Sequence, residues 1–140
     1  MYAGQGDKSC YAESRAQDIQ RRKDIQGVMN MTGNEYQIFA ARTINKKLST
    51  HQVEQHALHG MVSEVGEIHS IYQKTYQGHS FNALHIKKEL GDLLWFVAEL
   101  CSAYGWKLED VMELNIEKLK ARYPEGFEID KSINRAEGDV

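Results

Sequence analysis

Two long segments of this chain carry apolar side chains at the spacing of one face of an α-helix. In roughly residues 52–74 and 83–104 the apolar residues recur at intervals of three and four positions, the period of an amphipathic helix. The two stripes are Leu58, Met61, Val62, Val65, Ile68 and Tyr72, and Ile86, Leu90, Leu93, Val97, Leu100 and Tyr104. The chain has only one proline, which would interrupt a helix, so we predict an all-α protein.

The residues that precede these stripes indicate where helices begin. Thr32 is followed three positions later by Glu35, the pattern of a capping box. It predicts a first helix that runs to about Lys47. Ser49 or Thr50 is predicted to cap the second helix, since both side chains accept bonds from free backbone N–H groups.

The residues after the second stripe predict a stop and a further helix. Gly105 is a typical helix end, and a fourth helix is predicted from about Leu108 to about Tyr123, before Pro124. Short loops favour antiparallel neighbours, so the predicted fold is an antiparallel helical bundle of about four helices. Because such helices enclose a modest core, we expect oligomerisation to complete it.

Composition and charge limit the domain organisation and the partners. The 140 residues suggest one domain, with residues 1–30 as a polar, mobile extension and residues 31–140 as the helical domain. A net charge of -3 gives no basic field for nucleic acid. No apolar run approaches the length of a membrane span. With Cys10 and Cys101 as its only cysteines, the chain is expected to be cytoplasmic.

Four acids form two matched pairs on the two predicted long helices. Glu64 and Glu67 lie on the second helix, and Glu89 and Asp92 lie on the third. At about 100° per residue, the members of each pair fall about 60° apart, and Glu89 falls inside the apolar stripe. A buried carboxylate without a partner is costly or takes up a proton. Acids that converge between two helices therefore indicate a bound cation.

A glycine stands inside each acid pair. Gly66 and Gly91 each cost about 1 kcal/mol relative to alanine, so we predict that the two helices pass closely there. Carboxylates without thiolate or imidazole ligands suit Mg²⁺, with Mn²⁺ as a substitute. The alternative is two pairs of ordinary surface acids. A di-iron bundle would need histidine where Glu67 and Asp92 stand, so we set it aside.

The last predicted helix carries groups that can hold phosphate. Asn115, Lys118 and Arg122 share one face, and amide, ammonium and guanidinium groups all donate to phosphate oxygens. The alternative is a solvated charged face. Lys74, near the end of the second helix, is either another phosphate contact or a partner of the helix dipole.

Aromatic and histidine side chains complete the set of candidates. Trp95 and Tyr123 are candidates to stack on a base, with core packing as the alternative. His85 lies one turn before the acid in the apolar stripe and is placed to support it. His56 and His59 have a spacing that can bind zinc, although packing is favoured for them.

Three sequence stretches resemble the MazG-like family of all-α nucleoside triphosphate pyrophosphohydrolases: "SEVGEI", "KELGDLLWFVAEL" and "NIEKLKARYPEGF". The resemblance covers roughly residues 34–135. The acidic hallmark of the family, Glu-x-x-Glu and then Glu-x-x-Asp, falls on Glu64, Glu67, Glu89 and Asp92. The resemblance implies that these four acids are catalytic and bind Mg²⁺. It also implies that the basic residues of the last helix, here Lys118 and Arg122, approach the phosphates together with Asn115.

The resemblance implies an activity and an assembly. The expected reaction is Mg²⁺-dependent hydrolysis of a nucleoside triphosphate between the α and β phosphates, which yields a monophosphate and pyrophosphate. Two alternatives stay open: a phosphoribosyl-ATP pyrophosphohydrolase of related fold, and a helical interaction protein with a structural metal site. A homodimer or homotetramer is expected, with sites near the subunit junction. No residue indicates a base or sugar preference.

Overall fold

The computed structural model describes residues 31–135 as α-helices joined by short loops. The predicted extension, residues 1–30, lies outside the described residues, as do residues 136–140. The helices are α1 Gly33–Ala41, α2 Thr50–Tyr76, α3 Ala83–Tyr104, α4 Leu108–Arg122 and α5 Ile129–Ile133. Since residues 31–135 contain no strand, the predicted all-α class is confirmed. None of the helices in this part of the chain is both long enough and apolar enough to span a bilayer.

The predicted helix caps are present. Thr32 accepts a hydrogen bond from the Glu35 backbone N–H, and the Glu35 carboxylate accepts one from the Thr32 N–H. Of the two candidates before α2, Ser49 is the cap, and it forms a second capping box with Gln52. Gly105 ends α3 with a φ of 69°, a left-handed conformation that glycine adopts without a steric cost. Local side-chain chemistry therefore sets these boundaries.

The first helix is shorter than its sequence predicted. It ends at Ala41 rather than near Lys47. The Thr43 hydroxyl donates to the Ala40 carbonyl oxygen at 2.8 Å and accepts a 2.8 Å hydrogen bond from Trp95 Nε1 on α3. Because a threonine hydroxyl competes with the helical backbone for such carbonyls, the chain turns here instead of continuing as a helix.

The polar tail after α4 contains a short helix that the sequence did not predict. Asn134 Nδ2 donates to Asp130 Oδ1 at 2.7 Å, one turn apart on α5. Lys131 forms an ion pair with Glu128 just before the helix. With Ile129 and Ile133 as its apolar residues, this five-residue helix is too short to show a repeating apolar pattern, which explains why the sequence did not reveal it.

Helices α2 and α3 run antiparallel and pack along their lengths. His56, near the start of α2, pairs with Glu99, near the end of α3. Further along α2, a carboxylate oxygen of Glu64 lies within 4.8 Å of one of Glu89, which lies in the first half of α3. These two cross-contacts fix the antiparallel direction, as predicted for helices joined by a short loop.

Helix α1 attaches the start of α4 to the rest of the domain. The residue before α4 supplies no side-chain cap. Instead, Gln37 Oε1 accepts from the Leu108 N–H at 2.8 Å, while Gln37 Nε2 donates to the Trp106 carbonyl oxygen at 2.9 Å. Asn34 Oδ1 accepts from the Glu109 N–H at 3.2 Å. Side chains of α1 thus satisfy the free donors that every helix start presents.

A small core lies where α1, α3 and α4 meet, and much apolar surface stays outside it. The buried cluster is Ala40, Ala98, Cys101 and Leu108, with Tyr36, Trp95 and Val97 packed against it. By contrast, Val62 and Val65 of α2 are 74% and 54% exposed, and Leu90 of α3 is 51% exposed. The predicted apolar stripes are therefore only partly buried within a single chain.

The predicted close approach of the helices at Gly66 and Gly91 is wrong. A Cβ atom added at either glycine would have no atom of another element within 4 Å. The close approach occurs at Gly60 instead, where an added Cβ would lie 2.1 Å from the Phe96 ring. The glycine required by packing is therefore a turn before the first acid pair.

Candidate metal and active site

Three of the four predicted acids converge where α2 and α3 face each other. Carboxylate oxygens of Glu64, Glu89 and Asp92 all lie within 4.8 Å of one another. Glu64 comes from α2, while Glu89 and Asp92 project from one face of α3 because residues three apart are neighbours on a helix. The spacing and the antiparallel direction together build this group, which we call the acid cluster.

The acid cluster carries repulsion that a cation would relieve. Partial burial raises the pKa of Glu64, and the hydrogen bond with Glu89 and the negative charges of Glu89, Asp92 and Glu67 raise it further. An acid whose pKa is raised is less stable in its charged form than in water. The arrangement therefore favours either a shared proton or a bound positive ion.

The donor set fits a hard divalent cation. All three groups are carboxylates, and within residues 31–135 no group of three or more metal-ligating side chains includes His56 or His59. Oxygen-only ligand sets are typical of Mg²⁺, Ca²⁺ and Mn²⁺, whereas zinc and iron sites use imidazole or thiolate. The zinc alternative for the two histidines thus has no support in this part of the chain.

Glu67 lies beside the acid cluster rather than in it. Its side chain is exposed, and its carboxylate is not among the oxygens within 4.8 Å of one another. It is nevertheless near enough for its charge to raise the pKa of Glu64. The structure therefore gathers three acids and leaves the fourth at the edge.

Two neighbours orient and surround the acid cluster. His85 Nε2 lies 2.7 Å from Glu89 Oε1, so the expected support of this acid by the histidine one turn earlier is present. The Tyr36 hydroxyl lies 3.5 Å from the Gly91 carbonyl oxygen, and the pKa of Tyr36 is raised by burial and by the charge of Asp92. Tyr36 was not among the predicted site residues, because nothing in the sequence of α1 indicates that it reaches α3.

The candidate phosphate contacts lie at the end of α2 and along α4. Lys74 stands in the last turn of α2. Asn115 and Lys118 line a shallow groove along α4, together with Val111, Leu114, Glu117 and Ala121. The Arg122 guanidinium lies 6.0 Å from the centre of the Tyr123 ring, and this ring packs against Phe127 at 5.4 Å. Residues 111–120 of α4 are all exposed, and α4 packs mainly on α1.

Trp95 has a packing role in this structure. Its Nε1 donates to Thr43 Oγ1 at 2.8 Å, and its ring packs against the buried cluster and edge-on to Phe96. This is the alternative that the sequence left open beside base stacking. Glu99 was not among the predicted site residues, and its only signal in the sequence is an acid among the apolar residues of "FVAEL".

The fold and the acid cluster define a helical protein with a carboxylate cluster whose oxygen ligands fit a divalent cation. The sequence model of the MazG nucleotide pyrophosphohydrolase domain matches residues 52–127, more than half of the chain. The chain therefore belongs to the MazG nucleotide pyrophosphohydrolase family, as the motifs indicated. No curated protein and no solved structure matches the chain. The matched segment contains all four predicted acids and α4.

Proposed function

We propose that this protein hydrolyses a nucleoside triphosphate or deoxynucleoside triphosphate between the α and β phosphates, with Mg²⁺ as cofactor. The products are a nucleoside monophosphate and pyrophosphate. The observation that carries the proposal is the convergence of Glu64, Glu89 and Asp92 within 4.8 Å in a chain of the MazG family. The cytoplasm, which holds both Mg²⁺ and nucleotides, is the proposed location.

The acids of this chain would hold the cation and orient the attacking water. Glu64, Glu89 and Asp92 supply its carboxylate ligands, and Glu67 stands beside them for a water molecule or a second ion. Bound Mg²⁺ supplies charge neutralisation for the phosphates and activation of water. His85 Nε2 lies 2.7 Å from one carboxylate oxygen of Glu89 and so fixes the Glu89 side chain. The other oxygen of Glu89 is then held in position as a ligand, which favours a preorganised site.

Positive and amide side chains would bind the phosphates. We assign this role to Lys74, Asn115, Lys118 and Arg122, because phosphoryl chemistry depends mainly on positioning and charge stabilisation. Tyr123, which packs against Phe127, and Trp95, which also packs against the buried cluster, are assigned to contact the nucleoside part of the substrate. The test for each cation is a rise in KM for the nucleotide after its replacement by methionine.

A homodimer or homotetramer would complete the site. On α4, Leu114 is 68% exposed and Met112 is 51% exposed, while Val62 of α2 is 74% exposed. Exposed apolar side chains that are neighbours on a helix surface are typical of surfaces that bind protein partners. Packing of α4 from one copy against α2 and α3 of another would cover both faces and bring phosphate-binding groups toward the acids. Light scattering on the purified protein tests the assembly: a monomer at assay concentration refutes it.

The test of the reaction separates its products. Purified protein is incubated with Mg²⁺ and a panel of ribonucleotides and deoxyribonucleotides, and pyrophosphate and orthophosphate are detected separately. Pyrophosphate with a monophosphate is the expected result, and the ranking of rates identifies the preferred base and sugar. Orthophosphate as first product would mean cleavage at the terminal phosphate and refute the proposal. Turnover of phosphoribosyl-ATP alone would replace it with the related activity.

A further inference from the structure

A second polar contact joins α2 and α3, away from the acid cluster. Glu99 of α3 is 1% exposed, and its Oε2 lies 2.8 Å from His56 Nδ1 on α2. Its Oε1 is buried without a hydrogen-bond partner among the described residues. Because a carboxylate only accepts hydrogen bonds, Nδ1 carries a proton. The Nε2 atom of His56 is then the ring nitrogen that remains for another partner.

Packing alone does not explain an acid at position 99. A buried carboxylate with an unbonded oxygen carries a desolvation penalty, and a well-packed apolar residue in its place is often at least as stabilising. The neighbouring residues in "FVAEL" are apolar. A buried acid behind a half-exposed imidazole, 51% exposed for His56, instead resembles the pairs in which a carboxylate fixes the tautomer and orientation of a functional histidine.

The distance between the His56–Glu99 pair and the acid cluster is comparable to the length of a nucleotide. His56 precedes Glu64 by eight residues, and Glu99 follows Asp92 by seven. At about 1.5 Å per residue these intervals are about 12 Å and about 10 Å along the helices. Seven residues are close to two full turns, so Glu99 lies on the same side of α3 as Asp92. A nucleotide with its phosphates at the acid cluster has its sugar and base at a comparable distance.

Aromatic rings surround the imidazole. The centre of the His56 ring lies 5.5 Å from that of Phe96 and 6.2 Å from that of Trp95. Aromatic surfaces beside a fixed polar group are the usual means of holding a nucleobase, since every base has a face that stacks. The Trp95 indole is itself held by Thr43, which fixes the ring beside the imidazole.

We propose that His56 contacts the nucleoside part of the substrate and that Glu99 is its positioning residue. The inference rests on the proposed function, because it takes the phosphates to lie at the acid cluster. The phosphates of the substrate would thus lie at the acid cluster and its nucleoside at His56. Both places are formed by α2 and α3.

The test compares a ligand that has a nucleoside with one that lacks it. For the wild type, His56→Ala and Glu99→Gln, kcat and KM are measured with the best nucleoside triphosphate, and inorganic tripolyphosphate with Mg²⁺ is used as a competitive inhibitor. His51→Ala is the matched control, since His51 also pairs with a glutamate on α2, Glu54 at 3.6 Å, but is 79% exposed.

The expected result is a change in nucleotide binding alone. His56→Ala raises KM about tenfold, the effect of losing one strong hydrogen bond, while kcat and the inhibition constant of tripolyphosphate stay unchanged. Glu99→Gln raises KM less, because glutamine still accepts a bond from Nδ1. The double variant is no worse than His56→Ala, and His51→Ala behaves as the wild type.

Other outcomes overturn the proposal in distinguishable ways. An unchanged KM for His56→Ala, or an equal weakening of tripolyphosphate inhibition, would leave the pair a purely structural role. Should either single variant fail to fold by circular dichroism, the double variant decides the question, because it removes the buried charge of Glu99 together with its partner. A wild type that forms no pyrophosphate from any nucleotide would refute the proposed function itself.

Discussion

Glu64 is the acid whose replacement tests the repulsion within the acid cluster. In the ion-free protein it faces the charges of Glu89 and Asp92, and its pKa is raised by burial and by these neighbours. Glu64→Gln removes one of the repelling charges and supplies an amide that can donate to Glu89. We therefore expect the variant to be more stable than the wild type without divalent ions.

The size of the effect follows from the distances. At 4.8 Å, the outer limit for this group, two unit charges repel by about 1 kcal/mol in water and about 3.5 kcal/mol at an effective dielectric constant of 20. Because Asp92 is exposed, solvent screening places the gain near the lower value. We expect an increase of about 1–2 kcal/mol in the free energy of unfolding, or roughly 4 °C in Tm for each kcal/mol.

The assay is thermal unfolding by circular dichroism in EDTA and again with Mg²⁺. Mg²⁺ is expected to raise the Tm of the wild type, because ligands of the folded state stabilise it, and to raise that of Glu64→Gln much less. The matched control is Glu113→Gln, an exposed acid on α4, which should follow the wild type. A Glu64→Gln variant whose Tm in EDTA is lower than that of the wild type would refute the reasoning. So would a variant whose Tm rises with Mg²⁺ by as much as that of the wild type.

The same repulsion predicts a pH dependence with a definite sign. Between the ordinary glutamate pKa of 4.5 and the raised pKa of Glu64, the folded chain binds more protons at this group than the unfolded chain does. Stability of the ion-free protein therefore falls as pH rises through that window. The penalty is absent below 4.5 and complete above the raised value. Glu64→Gln should remove this part of the pH profile.

Three further predictions concern the scaffold. Gln37→Ala, which removes the hydrogen bonds of this side chain with the Leu108 N–H and the Trp106 carbonyl oxygen but keeps that of Asn34, is expected to lower the free energy of unfolding by about 2 kcal/mol in urea titrations; no loss would mean that Asn34 and side-chain packing hold the start of α4. Gly60→Ala is expected to lower Tm, since its methyl group meets the Phe96 ring 2.1 Å away, and an unchanged Tm would contradict that contact. Gly66→Ala, with nothing within 4 Å of the added Cβ, should raise Tm through a gain of up to about 1 kcal/mol; destabilisation would show that Gly66 faces a second copy.

Sequence periodicity and capping residues predicted most of the fold, because they act locally. The bounds of α3 coincide with the prediction, and the caps at Thr32, Ser49 and Gly105 follow from side chains within a few residues of each helix end. The end of α1 could not be predicted in this way. It depends on Thr43, whose hydroxyl bonds to a tryptophan that lies 52 residues later.

The acid cluster was predicted because its acids belong to motifs, whereas its surroundings depend on tertiary contacts. Helical spacing places Glu89 and Asp92 on one face, and the antiparallel direction adds Glu64. The contribution of Tyr36 requires knowledge of how α1 crosses α3. The role of Gly60, rather than Gly66, depends on where the Phe96 ring falls, which no periodicity reveals.

The most direct test of the central claim is pyrophosphate release by the wild type and by Glu89→Gln, with Mg²⁺ and the best nucleoside triphosphate of the panel. Circular dichroism on both proteins controls for folding. If the acid cluster holds the catalytic cation, Glu89→Gln loses turnover by orders of magnitude while its helical spectrum is retained, and the wild type becomes inactive in EDTA. A Glu89→Gln variant that is folded and releases pyrophosphate at the wild-type rate would contradict the account.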